Sequence, residues 1–328
     1  VLNKVPVEFY RPRTAVERSE ITRCEKIATD IFPTIEEGAK EIADNIELEI
    51  TSKQREGRYC VLALGTGLSL TPVYAELIRK HREEKLSFKN VVVFNAYEYF
   101  PLNPDSKNSS LNQLKDRFLA HVDIDAQNVF SPDGTISQDA VQEYCRLYEQ
   151  RIATFGGIDV CLLGIGRIGN IATNEPGSGI ASSSRLMLID ATSRQEMTMS
   201  FGTQEIVPPC SITMGVQTIL SARKIFLTAW GDEKADIIQK AVEGPLTDAI
   251  PASFLQTHNN VRVVIDLAAA SKLTRIIHPW LVTSCEWTDK LVRSALVWLC
   301  QLTGKPILKL TNKDYNENGL IQYNISVY

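Results

Sequence analysis

Apolar positions recur near helical spacing early in the chain, at Ile27, Ile31, Ile35, Ala39, Ile42, Ile46 and Ile50, and predict a helical entry over residues 20–50. The period then changes. Short β-branched runs at 59–64, 91–95, 158–164, 224–229 and 261–266 predict buried strands, and the amphipathic stretches 72–84, 111–121, 137–155 and 233–242 between them predict helices. Strand–helix alternation at this spacing predicts an α/β fold: a mostly parallel, doubly wound, Rossmann-like sheet with helices on both faces. Ligands of such sheets bind beyond the carboxyl ends of the strands. The segments to search therefore begin at Gly65, Asn95, Gly164 and Gly231. Residues 1–278 are expected to form this domain and 279–328 a C-terminal extension. In the extension, 287–302 reads as a helix, 305–310 as a short extended piece and 311–328 as a polar, Asn-rich tail.

Composition narrows the function classes. The 328 residues are 44% hydrophobic and 23% charged, enough apolar material for a sizeable core and far from the composition of a disordered chain. The formal net charge of −4 offers no basic surplus to nucleic acid or an acidic membrane, and no apolar stretch approaches the ~20 residues of a membrane span. Seven cysteines occur without a Cys-x-x-Cys pair, several inside apolar runs, which points to reduced thiols and a cytoplasmic protein. The four histidines, His81, His121, His258 and His278, avoid the strand exits and form no zinc-binding spacing, so no metal site is expected.

The strand exits carry the chemistry. After the first, Gly65-Thr66-Gly67-Leu68-Ser69 leads into a helix, and backbone amides together with the Thr66 and Ser69 hydroxyls can surround an anion there. A plain steric turn is the blander reading, and the loop lacks the lysine of a nucleotide P-loop. The second exit, Asn95-Ala96-Tyr97-Glu98-Tyr99, ends a buried strand on a phenol and a carboxylate, which reads equally as a catalytic pair or as an edge carboxylate capping a neighbouring element. The third, Gly164-Ile165-Gly166-Arg167-Ile168-Gly169, has the bare dinucleotide spacing, with Asp190 some twenty residues on. It runs into the loop-like Asn174-Glu175-Pro176-Gly177-Ser178-Gly179 where the fingerprint requires a helix. A dinucleotide-dependent oxidoreductase is therefore the outlying reading. The fourth, Gly231-Asp232-Glu233-Lys234, opens a helix with a cation that opposes the helix dipole, a poor structural choice that suits a bound phosphate; a solvated lysine beside Asp232 and Glu233 is the blander reading.

Together, Leu64-Gly65-Thr66-Gly67, Phe94-Asn95, Gly164-Ile165-Gly166, Asn174-Glu175-Pro176 and Gly231-Asp232-Glu233-Lys234-Ala235 resemble the glucosamine-6-phosphate deaminase (isomerase) family. His121-Val122-Asp123-Ile124 and Ala241-Val242-Glu243-Gly244 match in the same order, so the resemblance covers about residues 30–275. The tail, with Lys305-Pro306-Ile307-Leu308-Lys309-Leu310, is similar to that of longer members carrying a further deacetylase-like domain. The resemblance implies turnover of glucosamine 6-phosphate to fructose 6-phosphate and ammonia without a redox cofactor. It also implies a phosphate cradle of Thr66, Gly67 and Ser69 with Lys234, and substrate contacts at Gly164 and Gly166. The partner expected is thus a hexose phosphate, with a homo-oligomer left open.

The catalytic positions depart from that pattern. The family's strand end carries an aspartate base where Tyr97 stands, and its loop carries a histidine and an aspartate where Asn170 and Ile168 stand. Of the ring-opening group Glu175 remains; Glu98 is the other nearby carboxylate, although strand alternation directs it to the opposite face. A phenol of reference pKa ~10 is a poor base for a carbon acid, and Asn moves no proton. Impaired or lost chemistry is the leading expectation, and a working deaminase or isomerase using Glu175, Glu98 or Tyr97 in altered roles is the alternative. Ser178 and Arg185 match an allosteric sugar-phosphate site of hexameric members, with Met187 where a lysine would add charge.

Overall fold

The computed structural model describes residues 6–103, 105–201 and 207–320. Its strands are β1 (Thr29–Phe32), β2 (Cys60–Leu64), β3 (Val91–Asn95), β4 (Tyr97–Phe100), β5 (Val129–Phe130), β6 (Val160–Gly164), β7 (Arg185–Leu188), β8 (Cys210–Thr213), β9 (Lys224–Ala229) and β10 (Val261–Asp266). Its α-helices are α1 (Ala15–Ile21), α2 (Ile35–Arg55), α3 (Thr71–Glu83), α4 (Ser110–Arg117), α5 (Val141–Thr154), α6 (Ala191–Phe201), α7 (Val216–Leu220), α8 (Ala235–Val242), α9 (Thr274–Ile277), α10 (Asp289–Thr303) and α11 (Asn312–Glu317).

Seven strands form one parallel sheet in the order β1-β10-β9-β6-β2-β3-β5. Alternate side chains explain why both faces are covered. Leu62, Leu64, Val91, Val93, Val160 and Leu162 pack against Ile42 and Ile46 of α2 and Val73, Tyr74 and Leu77 of α3. Their neighbours Val61, Ala63, Val92, Phe94, Cys161 and Leu163 face the other way, toward Tyr148 and Ile152 of α5 and Ile237, Ile238 and Ala241 of α8. Burial on two faces gives each strand a continuous apolar run. At about 25 cal/mol per Å² of apolar surface, this two-sided core supplies the dominant favourable term in folding.

The predicted doubly wound sheet is therefore present. Three differences matter. The early "helical" period conceals β1, a four-residue strand between α1 and α2; its Ile31 alternates with half-buried neighbours, too short a run to break the apparent period. A second, antiparallel sheet of β4, β8 and β7 takes the chain away from the main sheet just after β3. In the C-terminal part, the segment expected to be extended over 305–310 instead holds a 3-10 turn at Ile307–Lys309, entered from Pro306. Trp280, Ala295, Leu299, Leu310, Tyr315 and Leu320 form a core cluster of their own there. The expected polar tail runs past Leu320, outside the described residues. Among the described residues no helix is long and apolar enough to cross a membrane.

Candidate functional site

Strand β2 sits beside β6, and the chain leaves β2 toward β3 on one side but leaves β6 toward β9 on the other, so the strand order reverses between them. A crevice forms at such a switch point. Here it opens as a cavity of about 460 Å³ at the carboxyl ends of β2 and β6, a size within the usual range for small-ligand sites.

The first wall is the loop after β2. Gly65 continues the ladder to Leu162, Leu68–Leu70 makes a 3-10 turn, and α3 follows, so Thr66, Gly67 and Ser69 all line the cavity. A Cβ on Gly164 would come within 2.5 Å of the Ser69 hydroxyl oxygen, so glycine there lets the loop settle onto β6. Trp230 pins the loop from the far side by donating from Nε1 to the Ser69 carbonyl at 2.7 Å. Leu68 is 73% exposed at the rim.

The second wall is the Gly-x-Gly-x-x-Gly segment. No helix starts after Gly169. Instead Gly166 N–H bonds the Asn170 carbonyl, Ile165 bridges Ile171, and the chain doubles back. A Cβ on Gly166 would lie 1.8 Å from Asn170 Oδ1. That glycine makes room for an asparagine side chain, which removes the structural basis of the dinucleotide reading. Lys234, on a 3-10 turn before α8, donates to the Ile165 carbonyl at 3.0 Å and lines the same wall. Thr66, Gly67, Ser69, Gly164, Gly166 and Lys234 are thus brought together around one space.

The catalytic candidates are distributed less evenly. Tyr97 lines the cavity, its hydroxyl 2.8 Å from the Thr66 hydroxyl, with Tyr99 edge-on to its ring. Burial pushes the Tyr97 phenol above its ordinary value, only partly opposed by the Thr66 and Tyr99 contacts and the positive Arg117. Asn170 also lines the cavity; it is 8% exposed, its Oδ1 has no hydrogen-bond partner, and Nδ2 faces Glu175 at 3.5 Å. Glu175 lies behind the wall, where it accepts from the Ser193 hydroxyl at 2.9 Å. Neither Glu175 nor Glu98 is among the lining residues.

Glu98 is engaged elsewhere. Its carboxylate accepts from Ser110 N at 2.7 Å, Leu111 N at 3.0 Å, Ser109 Oγ at 2.7 Å and Tyr99 N at 2.9 Å. It caps α4 from a neighbouring strand, as alternation on the strand requires. Ser178 and Arg185 do meet, Arg185 Nη2 donating to Ser178 Oγ at 2.9 Å and Nη1 to Asn174 Oδ1 at 2.9 Å, away from the cavity.

Several lining residues had no sequence signal. Arg117 and Gln113 arrive on α4, Ser193 and Met197 on α6, and Trp230 follows β9. The α4 pair could have been found from helical spacing, since 113 and 117 share a face. The α6 residues come from a helix whose weak amphipathic pattern concealed it. Among the described residues, no group of three or more His, Cys, Asp and Glu side chains could hold a metal ion.

Comparison with known proteins places this geometry. Residues 33–264 match the family described as glucosamine-6-phosphate isomerases/6-phosphogluconolactonase. A glucosamine-6-phosphate deaminase-like protein of Bacteroides thetaiotaomicron is 63% identical over 319 residues, 97% of this chain, and the chain spans 48% of that relative's length. Glucosamine-6-phosphate deaminase 1 of Bacillus subtilis is 40% identical over 211 residues, 64% of this chain and 86% of its own. A solved monomeric glucosamine-6-phosphate deaminase superposes with a TM-score of 0.71 at 36% identity, covering 75% of this chain and all of that one. The 6-phosphogluconolactonase of Trypanosoma brucei shares the fold, with a TM-score of 0.59 at 20% identity over 76% of this chain and 99% of its own. With residues 33–264 matching the family and 97% of its length aligned to a relative at 63% identity, the chain belongs to the glucosamine-6-phosphate isomerase/6-phosphogluconolactonase family.

Proposed function

We propose that this chain binds a hexose phosphate of amino-sugar metabolism, glucosamine 6-phosphate or fructose 6-phosphate, and that its deaminase or isomerase chemistry is impaired or lost. The phosphate is held by the Thr66–Ser69 loop and Lys234, where glycines admit close backbone approach and the lysine supplies charge. Asn170 Oδ1, buried and unpartnered at the cavity wall, accepts from a sugar hydroxyl and satisfies an atom that is otherwise costly to bury.

The observation that carries the impairment is the state of Tyr97. Proton transfer between C2 and C1 needs a base that is deprotonated at working pH and within reach. At that position the cavity presents a phenol weakened as an acid by burial and hydrogen-bonded to Thr66. Asn170 cannot relay a proton for ring opening. The carboxylate that does line the cavity, Glu233, is 57% exposed and paired with Arg167 at 3.1 Å. Losing one general acid or base costs about 10²–10⁴-fold in rate, and two are replaced here.

The test is fructose 6-phosphate formation from glucosamine 6-phosphate at high protein concentration, beside Lys234→Ala purified in parallel. The expected result is binding of the sugar phosphate by calorimetry without turnover above the variant. Turnover in the wild type that vanishes in Lys234→Ala overturns the impairment.

A further inference from the structure

The hydrogen bonds behind Tyr97 have one self-consistent direction. Asn95, the fully buried last residue of β3, is fixed by its amide nitrogen, which donates to the Tyr97 carbonyl at 2.8 Å and to Ser131 Oγ at 2.9 Å. A carbonyl only accepts, so the amide cannot be turned over, and its Oδ1 faces the Ser110 hydroxyl at 3.2 Å. An amide oxygen has no proton to give. Ser110 therefore spends its proton on Asn95 and takes one from Thr66 Oγ1 at 3.1 Å. Thr66, its own proton spent, accepts from the Tyr97 hydroxyl at 2.8 Å. Donation thus runs from Tyr97 to Thr66 to Ser110 to Asn95, from the cavity wall into the interior, and the last three are at most 3% exposed. Reversing a link would set two acceptors face to face in a buried site, the expensive arrangement for polar groups there.

That direction decides what this wall offers a ligand. The Thr66 hydroxyl has no proton left for an anion, so Ser69 is the side chain of the loop that remains as a phosphate donor, beside the backbone amides and Lys234. Tyr97 has no proton left either, and its oxygen meets a ligand only as an acceptor. A sugar substituent that donates, a hydroxyl or an ammonium, matches it; one that only accepts is repelled. Resting on the hexose-phosphate reading above, which sets C2 of the sugar at residue 97, we infer that Ser110 and Asn95 are positioning residues that hold Tyr97 as a hydrogen-bond acceptor, and that the site thereby selects hexose phosphates carrying a hydrogen-bond donor at C2.

The experiment compares glucose 6-phosphate with its 2-deoxy and 2-deoxy-2-fluoro analogues by isothermal titration calorimetry on the full chain, with glucosamine 6-phosphate and fructose 6-phosphate as controls. Fluorine can accept a hydrogen bond and cannot donate one. The fluoro ligand should therefore bind about fivefold more weakly than glucose 6-phosphate and no better than the deoxy ligand. In Ser110→Ala the chain of donors loses its sink, Thr66 is free to donate to Tyr97, and the phenol proton turns to the ligand. The fluoro penalty should then shrink to less than about twofold, with the fluoro ligand overtaking the deoxy one. Ser110→Thr, which keeps the hydroxyl, should restore the wild-type ratio. The inference is overturned if glucose 6-phosphate binds the wild type no tighter than its fluoro analogue. It is equally overturned if Ser110→Ala weakens every ligand and preserves their ratios, since the serine would then serve stability alone. If neither control binds the wild type, the hexose-phosphate reading has failed and this inference falls with it; controls that bind beside an absent fluoro penalty sink this inference alone.

Discussion

Replacing Glu98 separates a catalytic carboxylate from a capping one. The side chain is 4% exposed and accepts from Ser110 N, Leu111 N and Ser109 Oγ, which between them include the first two amides of α4. Glu98→Ala strands these donors in a dry site. Each orphaned buried donor costs about 1–3 kcal/mol, and the lost attraction between a carboxylate and a helix N-terminus adds about 0.3–1 kcal/mol. Some rewetting of the gap offsets part of this, which leaves an expected loss of about 3–5 kcal/mol. Glu98→Gln keeps one accepting oxygen and turns an NH₂ toward donors, so about 2 kcal/mol is expected. In urea, with a slope of about 3 kcal/mol per molar, the alanine variant's midpoint should fall by about 1 M or more. Because α4 also carries Gln113 and Arg117, ligand affinity should weaken along with stability. An unchanged midpoint for both variants would refute the capping argument.

Other outcomes follow from named atoms. Gly166→Ala should raise the dissociation constant for fructose 6-phosphate at least about tenfold while the far-ultraviolet spectrum stays native, because a methyl 1.8 Å from Asn170 Oδ1 must drive that side chain from its place; unaltered binding would show that Asn170 is dispensable. The double variant Tyr97→Asp/Asn170→His should raise fructose 6-phosphate formation by about 10²–10⁴-fold over the parent, measured with the same coupled assay; no gain would place the block elsewhere. Glu25, buried beside Arg275 at 2.8 Å, has its carboxyl raised to about 8 because desolvation outweighs the guanidinium's attraction. The native state then holds a proton that the unfolded chain has released, so this contribution is whole below the unfolded value near ~4.5 and lost as pH rises through about 8. Stability should fall by up to ~1.4 kcal/mol per pH unit across that window, and Glu25→Gln should flatten the slope in urea titrations at several pH values. A slope identical in the variant would contradict the assignment.

The parts of this molecule that could be read in its sequence are those governed by short-range periodicity. Short apolar runs mark β2, β3, β6, β9 and β10, because two-sided burial leaves little room for polar residues in them. That Thr66, Gly67, Ser69, Gly164, Gly166 and Lys234 line one cavity follows from the same pattern, since each lies at or beyond the carboxyl end of a strand. What escaped depends on long-range placement. Strand β4 follows β3 after a single residue, and only its pairing with β8 shows that the chain has changed sheets. Arg117 is one of many arginines until α4 carries it to Thr66, fifty-one residues away along the chain. Glu175 looked reachable as part of a loop motif, yet the backbone reversal at Gly166 and Asn170 sets it behind the wall. At the second exit the residue types alone left Glu98 between chemistry and capping, and the strand pleat sends it to the helix.

The placement of tryptophan gives the protein a built-in division of optical signals. The chain holds four: Trp280, Trp287 and Trp298 gather in the C-terminal cluster with ring centroids about 6 Å apart, while Trp230 stands alone beside the loop after β2. An indole whose N–H is bonded to the Ser69 carbonyl changes its emission when that loop changes its surroundings, whereas the clustered rings respond to events in residues 280–320. Filling the cavity and loosening the C-terminal part should thus be visible as separate components of one emission spectrum, with Trp230→Phe removing the first and leaving the second.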